Sequence, residues 1–435
     1  MASAARLNER LVAKLRSPLP NFIRDFFAYR DDAHDAETNP DGALFFSVSE
    51  DTFASRLTSQ QISRDNAAFP IDAHTLEYAY SSGMAQMRTA AAAYLSQYVF
   101  KVDDASGSLP PAKESQVCMV AGCGGAVGLI AQMVVEPGEG VMLLAPHYRG
   151  FLDDLHRADV EVVVVPTDSE SEFRVSEQAF KQAIAKAKKE RGVSCKALII
   201  SNPNNPLGMI YSPEELLAFV AWVRDADMHL IVDEIYAQSV YGKQKFESIY
   251  RVLEGQLSDD VHILYGFGKD LGICGLRTGL VYTQNAVLNQ LMPSANLIST
   301  MSNQTQVTVT RLIENQAWLG DLFAKRRARL ARISGQICDL LDRTNVRYIT
   351  PHAGFFIMCD LSRLCRTQSE ASEFEVYERL VAETKIILTP GSYMNMTEFG
   401  WFRIVFSNST DAAVDAFCYR LSEFLKRHTP PNAKA

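Results

Sequence analysis

Long apolar runs are missing from this chain. None approaches the roughly 20 residues that a membrane-spanning helix needs, so no helical membrane span is expected. A basic excess is missing as well. The formal net charge is −8, which leaves no cationic face for nucleic acid and no polybasic patch for a membrane surface. Cysteine is sparse and scattered. The eight, at 118, 123, 195, 274, 338, 359, 365 and 418, form neither a Cys-x-x-Cys pair nor a Cys/His ligand set. That pattern argues against a disulfide frame and a zinc site, and most of these thiols read as small buried hydrophobes. There is no internal repeat and no long low-complexity tract. The opening Met1-Ala2-Ser3-Ala4-Ala5-Arg6-Leu7 lacks the apolar core of a signal peptide. Arg6, Arg10, Lys14 and Arg16 begin a transit-peptide pattern that Glu9 and Asp25 break. The expectation is a cytoplasmic protein.

What is present is enough apolar material for a large core. At 435 residues and 47% hydrophobic, the chain is long enough for two domains. Residues 1–30 alternate apolar and basic positions in a helical manner, and a short strand is expected at 43–48. Between about 83 and 330, helical and strand patterns alternate. Helices are expected at 83–100 and 126–135. Strands are expected at 141–144, 160–165, 197–201, 229–233, 262–265 and 279–282. Their nearly continuous, β-branched character suits a buried, mostly parallel sheet with crossover helices, an α/β arrangement. Residues 311–341 read as one long helix, kinked near Gly320, with a solvated basic run at Lys325-Arg326-Arg327. Strands near 355–359 and 402–406 belong to a smaller α+β domain. The expected division is a segment 1–50 packed with the small domain, a large domain 51–330, and a small domain 331–435.

Three signals carry chemistry. Tyr265-Gly266-Phe267-Gly268-Lys269 is followed eight residues after the lysine by Arg277-Thr278-Gly279, which brings an amine and a guanidinium toward one small anion. Upstream lie Asn202-Pro203-Asn204-Asn205-Pro206 and the run Leu230-Ile231-Val232-Asp233-Glu234-Ile235-Tyr236. In this order they point to pyridoxal 5'-phosphate held as an imine of Lys269. The free amine is then placed to move a substrate Cα proton. A lone lysine is by default a solvated one, but a glycine turn just after a strand argues otherwise. Asp233, ending a buried strand, is the candidate partner of the ring nitrogen, where a carboxylate favours the pyridinium; strand-end aspartates also cap helices. Asn205 and Tyr236 are candidates for the phenolic oxygen, or simple turn residues. Gly122-Cys123-Gly124-Gly125 opens a helix and is the candidate phosphate cradle, with Arg277 as the balancing charge. Tyr148 is a candidate for stacking on the ring, or a core tyrosine. Arg403 interrupts the apolar run Trp401-Phe402-Arg403-Ile404-Val405-Phe406. A buried guanidinium wants an anion, either a substrate carboxylate or an internal acid.

Together these motifs resemble the fold type I pyridoxal-phosphate enzymes of the aminotransferase class I/II group, over residues 40–425. Within the group the chain is most similar to 1-aminocyclopropane-1-carboxylate synthase and related C–S lyases. The likeness is carried by Lys269-Asp270-Leu271-Gly272 with Gly275-Leu276-Arg277, by Pro390-Gly391-Ser392 and Glu398-Phe399-Gly400-Trp401-Phe402-Arg403, and by Pro146-His147-Tyr148-Arg149-Gly150-Phe151-Leu152-Asp153-Asp154-Leu155. The resemblance implies a two-domain homodimer with its active sites at the subunit interface. It assigns Lys269 to the imine, Asp233 to the ring nitrogen, and Asn205 and Tyr236 to the phenolic oxygen. Arg277 goes to the phosphate and Arg403 to the substrate carboxylate, and Glu50 matches a segment that reaches the substrate pocket. The chain departs from the family at Gly266 and Gly268, where serines are usual, at Gly124 and Val127 in place of Thr and Asn, and at Ser81-Ser82 in place of Tyr-His. Three functions follow. The first is Cα deprotonation of an amino acid with C–S bond cleavage, as in relatives that build sulfur-bearing metabolites. The second is an aminotransferase exchanging the amino group with a 2-keto acid. The third is a non-catalytic member of the fold, which an absent lysine or aspartate would have favoured.

Overall fold

The computed structural model describes residues 20–68, 71–104 and 107–428. Part of the helix expected at 1–30 forms as α1 (Asn21–Ala28); residues 1–19 lie outside the described residues. The chain continues through β1 (Leu44–Phe45) and α2 (Thr52–Ala68) into a seven-stranded sheet. Its strands are β2 (Val117–Ala121), β3 (Gly140–Leu144), β4 (Glu161–Val165), β5 (Cys195–Ser201), β6 (His229–Asp233), β7 (Val261–Tyr265) and β8 (Thr278–Thr283). The order is β2-β8-β7-β6-β5-β3-β4, and β8 runs antiparallel to both neighbours. Six strands were legible as apolar runs, and β2 was not. Val117-Cys118-Met119-Val120-Ala121 is as long and as apolar as β3, but it sits directly before a glycine-rich helix start and has no boundary of its own there; it pairs along β8 from Val117 to Ala121.

Both faces of the sheet are buried, as a parallel sheet requires. Val141, Leu143, Ile199, Ile231 and Val281 pack against α3 (Cys123–Val134) and α4 (Gly150–Arg157). Alternate residues such as Met142, Leu198, Leu230 and Leu280 face the opposite core. The carboxyl ends of β5 and β6 lie side by side, with Ser201 opposite Asp233. In open α/β sheets that edge is where ligands bind.

The expected helix at 311–341 is two. Asn303–Glu314 ends at Asn315, whose side-chain oxygen accepts from the Trp318 N–H at 3.2 Å and starts α5 (Gln316–Arg343). The break is therefore an asparagine cap, and Gly320 lies inside a continuous helix. Along α5, Leu319, Leu322 and Phe323 join the core of the large sheet, whereas Leu330, Ile333 and Ile337 join a separate core. That second core also holds a sheet of β9 (Phe356–Asp360), β11 (Thr389–Pro390) and β12 (Trp401–Val405), with α6 (Glu370–Thr384) and α7 (Asp411–His428). The N-terminal β1 pairs in parallel with β10 (Ile386–Ile387) on the same side.

The basic run at 325–327 is corrected. Lys325 and Arg327 are exposed, but Arg326 is 1% exposed. The spacing 319, 322, 323, 326, 330, 333 places it on the apolar stripe of α5, and that periodicity was readable in advance.

Candidate active site

A cavity of about 330 Å³ opens at the carboxyl edge of β5 and β6. Lys269, Asp233, Tyr236, Asn205, Tyr148 and Arg277 all line it, as do Gly122, Cys123 and Gly124. Residues separated by well over a hundred positions thus converge on one space. Lys269 sits in the helical turn Phe267–Asp270 just past β7, and its Nζ donates to the Ser49 carbonyl at 2.5 Å. Asp233 is buried; its carboxylate accepts from the Ile235 N–H at 3.1 Å and from Cys123 Sγ at 3.5 Å. Burial, the largest influence, pushes its pKa from 3.8 up to about 6. Tyr236 is held edge-on between Phe355 and Phe356, and burial raises its phenol.

The glycine cradle is shaped by its neighbours. Gly122 takes φ +83°, which L side chains rarely adopt, and a Cβ there would lie 2.5 Å from Arg277 Nη2. The Arg277 guanidinium therefore lies directly against the start of α3. A Cβ at Gly124 would lie 2.7 Å from Asp154 Oδ2. The Asp154 carboxylate occupies the room that a threonine at 124 would need. Its pKa rises to about 6, chiefly by burial. A Cβ at Gly266 would meet the Thr278 carbonyl at 2.8 Å, so a serine is sterically excluded there unless the backbone shifts.

Arg403, on β12, is 8% exposed and reaches the site through Asn205, donating to its Oδ1 at 2.9 Å. It also donates to the Ser47 carbonyl at 3.0 Å. Its Nη2 also reaches Thr389 Oγ1 at 3.4 Å, its Nε has no partner, and its acceptors are all neutral. Burial lowers its pKa. Gly125 lies one residue beyond the cavity lining, and Glu50 is exposed outside it; the neighbouring Ser49 lines the cavity instead. Tyr148, 43% exposed, packs edge-on against Phe151. The lining also contains Cys274, and Asp154 and Thr278, to which sequence reasoning gave no role. Asp154 sits four residues from Gly150 in a motif already singled out, and helical spacing was the available signal.

These groups fit pyridoxal phosphate. A helix start bared by glycine and faced by a guanidinium suits a phosphate, a buried carboxylate without a counter-ion suits a pyridinium, and an amine stands in the same cavity. The described residues contain no cluster of three or more potential metal ligands. None of their helices is long and apolar enough to cross a membrane.

Comparison with known proteins agrees with this geometry. The profile of the family "Aminotransferase class I and II" matches residues 46–421. A 1-aminocyclopropane-1-carboxylate synthase of Cucurbita maxima is 31% identical over 316 residues, 72% of this chain and 64% of that protein. Synthase 1 of Cucurbita pepo is 28% identical over 410 residues, covering 92% of this chain and 82% of the relative. The chain thus spans a little under two thirds of the first relative's length. Aspartate aminotransferase from Thermotoga maritima shares the fold, with a TM-score of 0.78 at 19% identity over 97% of this chain and all of that one. With the profile spanning most of its length and the lysine, aspartate and glycine cradle gathered in one cavity, the chain belongs to the aminotransferase class I and II family and is a fold type I, pyridoxal-phosphate-dependent enzyme.

Proposed function

We propose that this protein is a cytoplasmic homodimer that removes the Cα proton of an amino acid and cleaves a C–S bond in its side chain. When bound, pyridoxal phosphate supplies an electron sink conjugated to the substrate Cα. Lys269 binds it and afterwards carries the Cα proton. Asp233 keeps the ring nitrogen protonated, Asn205 and Tyr236 hydrogen-bond the phenolic oxygen, and Tyr148 covers one ring face. Gly124, Gly125, Cys123 and Arg277 hold the phosphate. Arg403 receives the substrate carboxylate, with Glu50 at the rim of the substrate pocket. The observation that carries this reading is Arg403, buried beside Asn205 with an unpartnered Nε and no acid. A substrate carboxylate supplies what the fold withholds.

Cleavage of a C–S bond is favoured over transamination by the similarity to the synthases across 92% of the chain, together with the departures at 81, 124, 266 and 268. A role in building sulfur-bearing metabolites accords with that chemistry. The alternative is an aminotransferase that exchanges the amino group with a 2-keto acid. The domain division 51–330 and 331–435 is supported by the two cores that α5 joins, with the described part of segment 1–50, from residue 20 on, packing on the small one. A second copy is supported by one exposed apolar patch. Leu76, Tyr78, Tyr80, Leu297 and Ile298 are all more than two thirds exposed. Their segments are tied by Asn303 Nδ2 to the Glu77 carbonyl and Ser81 Oγ to the Pro293 carbonyl, each at 2.5 Å.

The test is product analysis by mass spectrometry. Cofactor-loaded protein is incubated with S-adenosylmethionine and a panel of S-substituted cysteines, without keto acid. Many turnovers with release of a sulfur fragment, lost in Lys269→Ala, are expected. A halt near one turnover per site with pyridoxamine phosphate accumulating overturns the lyase reading in favour of the aminotransferase.

A further inference from the structure

The functions assigned so far leave one costly feature of the fold unused. Arg326 is buried where α5 passes from the large-sheet core to the second core, between Phe323 and Leu330. Its Nε donates to Asp51 Oδ2 at 2.7 Å and its Nη1 approaches Asp270 Oδ1 at 3.4 Å. Nη2 donates to Ser239 Oγ at 2.9 Å and to the main-chain carbonyl of Lys269 at 3.0 Å. Nη1 also reaches the Gln238 carbonyl at 3.3 Å. The guanidinium lies over Phe355 of the second core at 5.1 Å. Asp270 in turn accepts a short hydrogen bond from Tyr265, which contacts the Tyr94 hydroxyl at 3.0 Å.

The contacts close a ring around the reactive amine. Arg326 holds the carbonyl of Lys269, the amine of Lys269 donates to the Ser49 carbonyl, and Asp51, two residues on, returns to Arg326. Asp51 also caps α2 through the Ala54 N–H at 2.9 Å. From α2, Ser55 and Thr58 hold the carbonyls of Gly272 and Leu271, each at 2.6 Å. A buried ion cluster is poor value as a source of stability, since desolvation offsets the attraction; its best-attested use is to specify one arrangement.

We propose that Arg326 is a positioning residue for Lys269. It locks the lysine turn, the 49–51 segment and the loop after Tyr236 to the helix that joins the two cores. The orientation of the second core thereby sets where the amine stands. This rests on Lys269 being the cofactor lysine, as read above.

The test uses the full-length, cofactor-loaded protein and Arg326→Lys, which keeps the charge but cannot span these acceptors, beside Asp51→Asn. Two readouts are followed besides thermal stability and cofactor affinity. One is Cα–H/D exchange of L-alanine and L-methionine in D₂O by NMR, which needs neither sulfur loss nor a keto acid. The other is the pH midpoint of the visible absorbance of the bound cofactor. The expected result is exchange slowed at least tenfold and a displaced midpoint, with cofactor affinity within about threefold. Combining the two substitutions should add little. An unchanged exchange rate and midpoint in both variants overturns the proposal, as does a loss that only tracks the fraction of folded protein. Absence of exchange in the unsubstituted protein would instead count against the functional reading, and an unmoved midpoint would still decide against the role of Arg326.

Discussion

Arg326 and Arg403 grip the two ends of one short loop, residues 47–51, and the fold treats them oppositely. Arg326 binds Asp51 and approaches Asp270. Arg403 binds the Ser47 carbonyl and Asn205 and meets no carboxylate among the described residues. Both are desolvated, so the difference lies in what neutralises them. A guanidinium given two acids by its own chain is complete before any ligand arrives. One given only neutral acceptors keeps an unanswered charge, and one bond away from a cavity that is binding potential held in reserve.

Removing the complete charge should cost the most. Arg326→Met leaves two buried carboxylates without a cation, and a loss of about 3–5 kcal/mol is expected in denaturant unfolding. A loss below about 1 kcal/mol would dissolve the contrast. Arg403→Gln should behave in reverse, with unfolding stability equal to or above that of the parent. Its amino-acid affinity should fall about tenfold or more, matching the roughly 1.5–3 kcal/mol of a charge-assisted hydrogen bond. Kinetics across substrate concentration would show this as a raised KM.

Asp233 sharpens the comparison from the anionic side, because it too is buried without an ion pair. Its carboxyl titrates near 6 against an ordinary 3.8, with burial the main cause. A raised carboxyl stabilises the fold below its ordinary value, and that contribution is lost as pH rises through about 6. The cofactor-free protein should therefore lose on the order of 1–2 kcal/mol between pH 4 and pH 6.5 through this group. Asp233→Asn should flatten that slope, and bound cofactor should do the same; a slope unaltered by the substitution would reject the assignment. The smallest effect belongs to Arg327→Ala, next to Arg326 but exposed. It should shift stability by no more than about 0.5 kcal/mol, measured in the same denaturant series.

Much of this was legible in the chain. Periodicity located six of the seven large-sheet strands because a strand buried on both faces is apolar throughout, and β2, equally apolar, escaped because it runs directly into the glycine-rich start of α3. The lysine turn, the Asp233-Glu234-Ile235-Tyr236 strand end and the glycine-opened helix were visible as local motifs. All three line one cavity. The fate of Arg326 was misjudged because three basic residues in a row suggest solvent, although helical spacing put the middle one on the apolar stripe. The kink near Gly320 was displaced to Asn315 because a cap interrupts a helix more firmly than a glycine does.

The sequence by itself determined which chemical groups the protein owns and the α/β class of its fold, since turns, caps and apolar periods act over a few residues. It also held the motifs of the family. Only the tertiary structure decided which charges are answered. Arg326 meets Asp51 across 275 positions and Arg403 meets Asn205 across 198. Electrostatic pairing depends on distance in space and on the exclusion of water, and both are settled only when α5, the lysine turn and the 47–51 loop pack together.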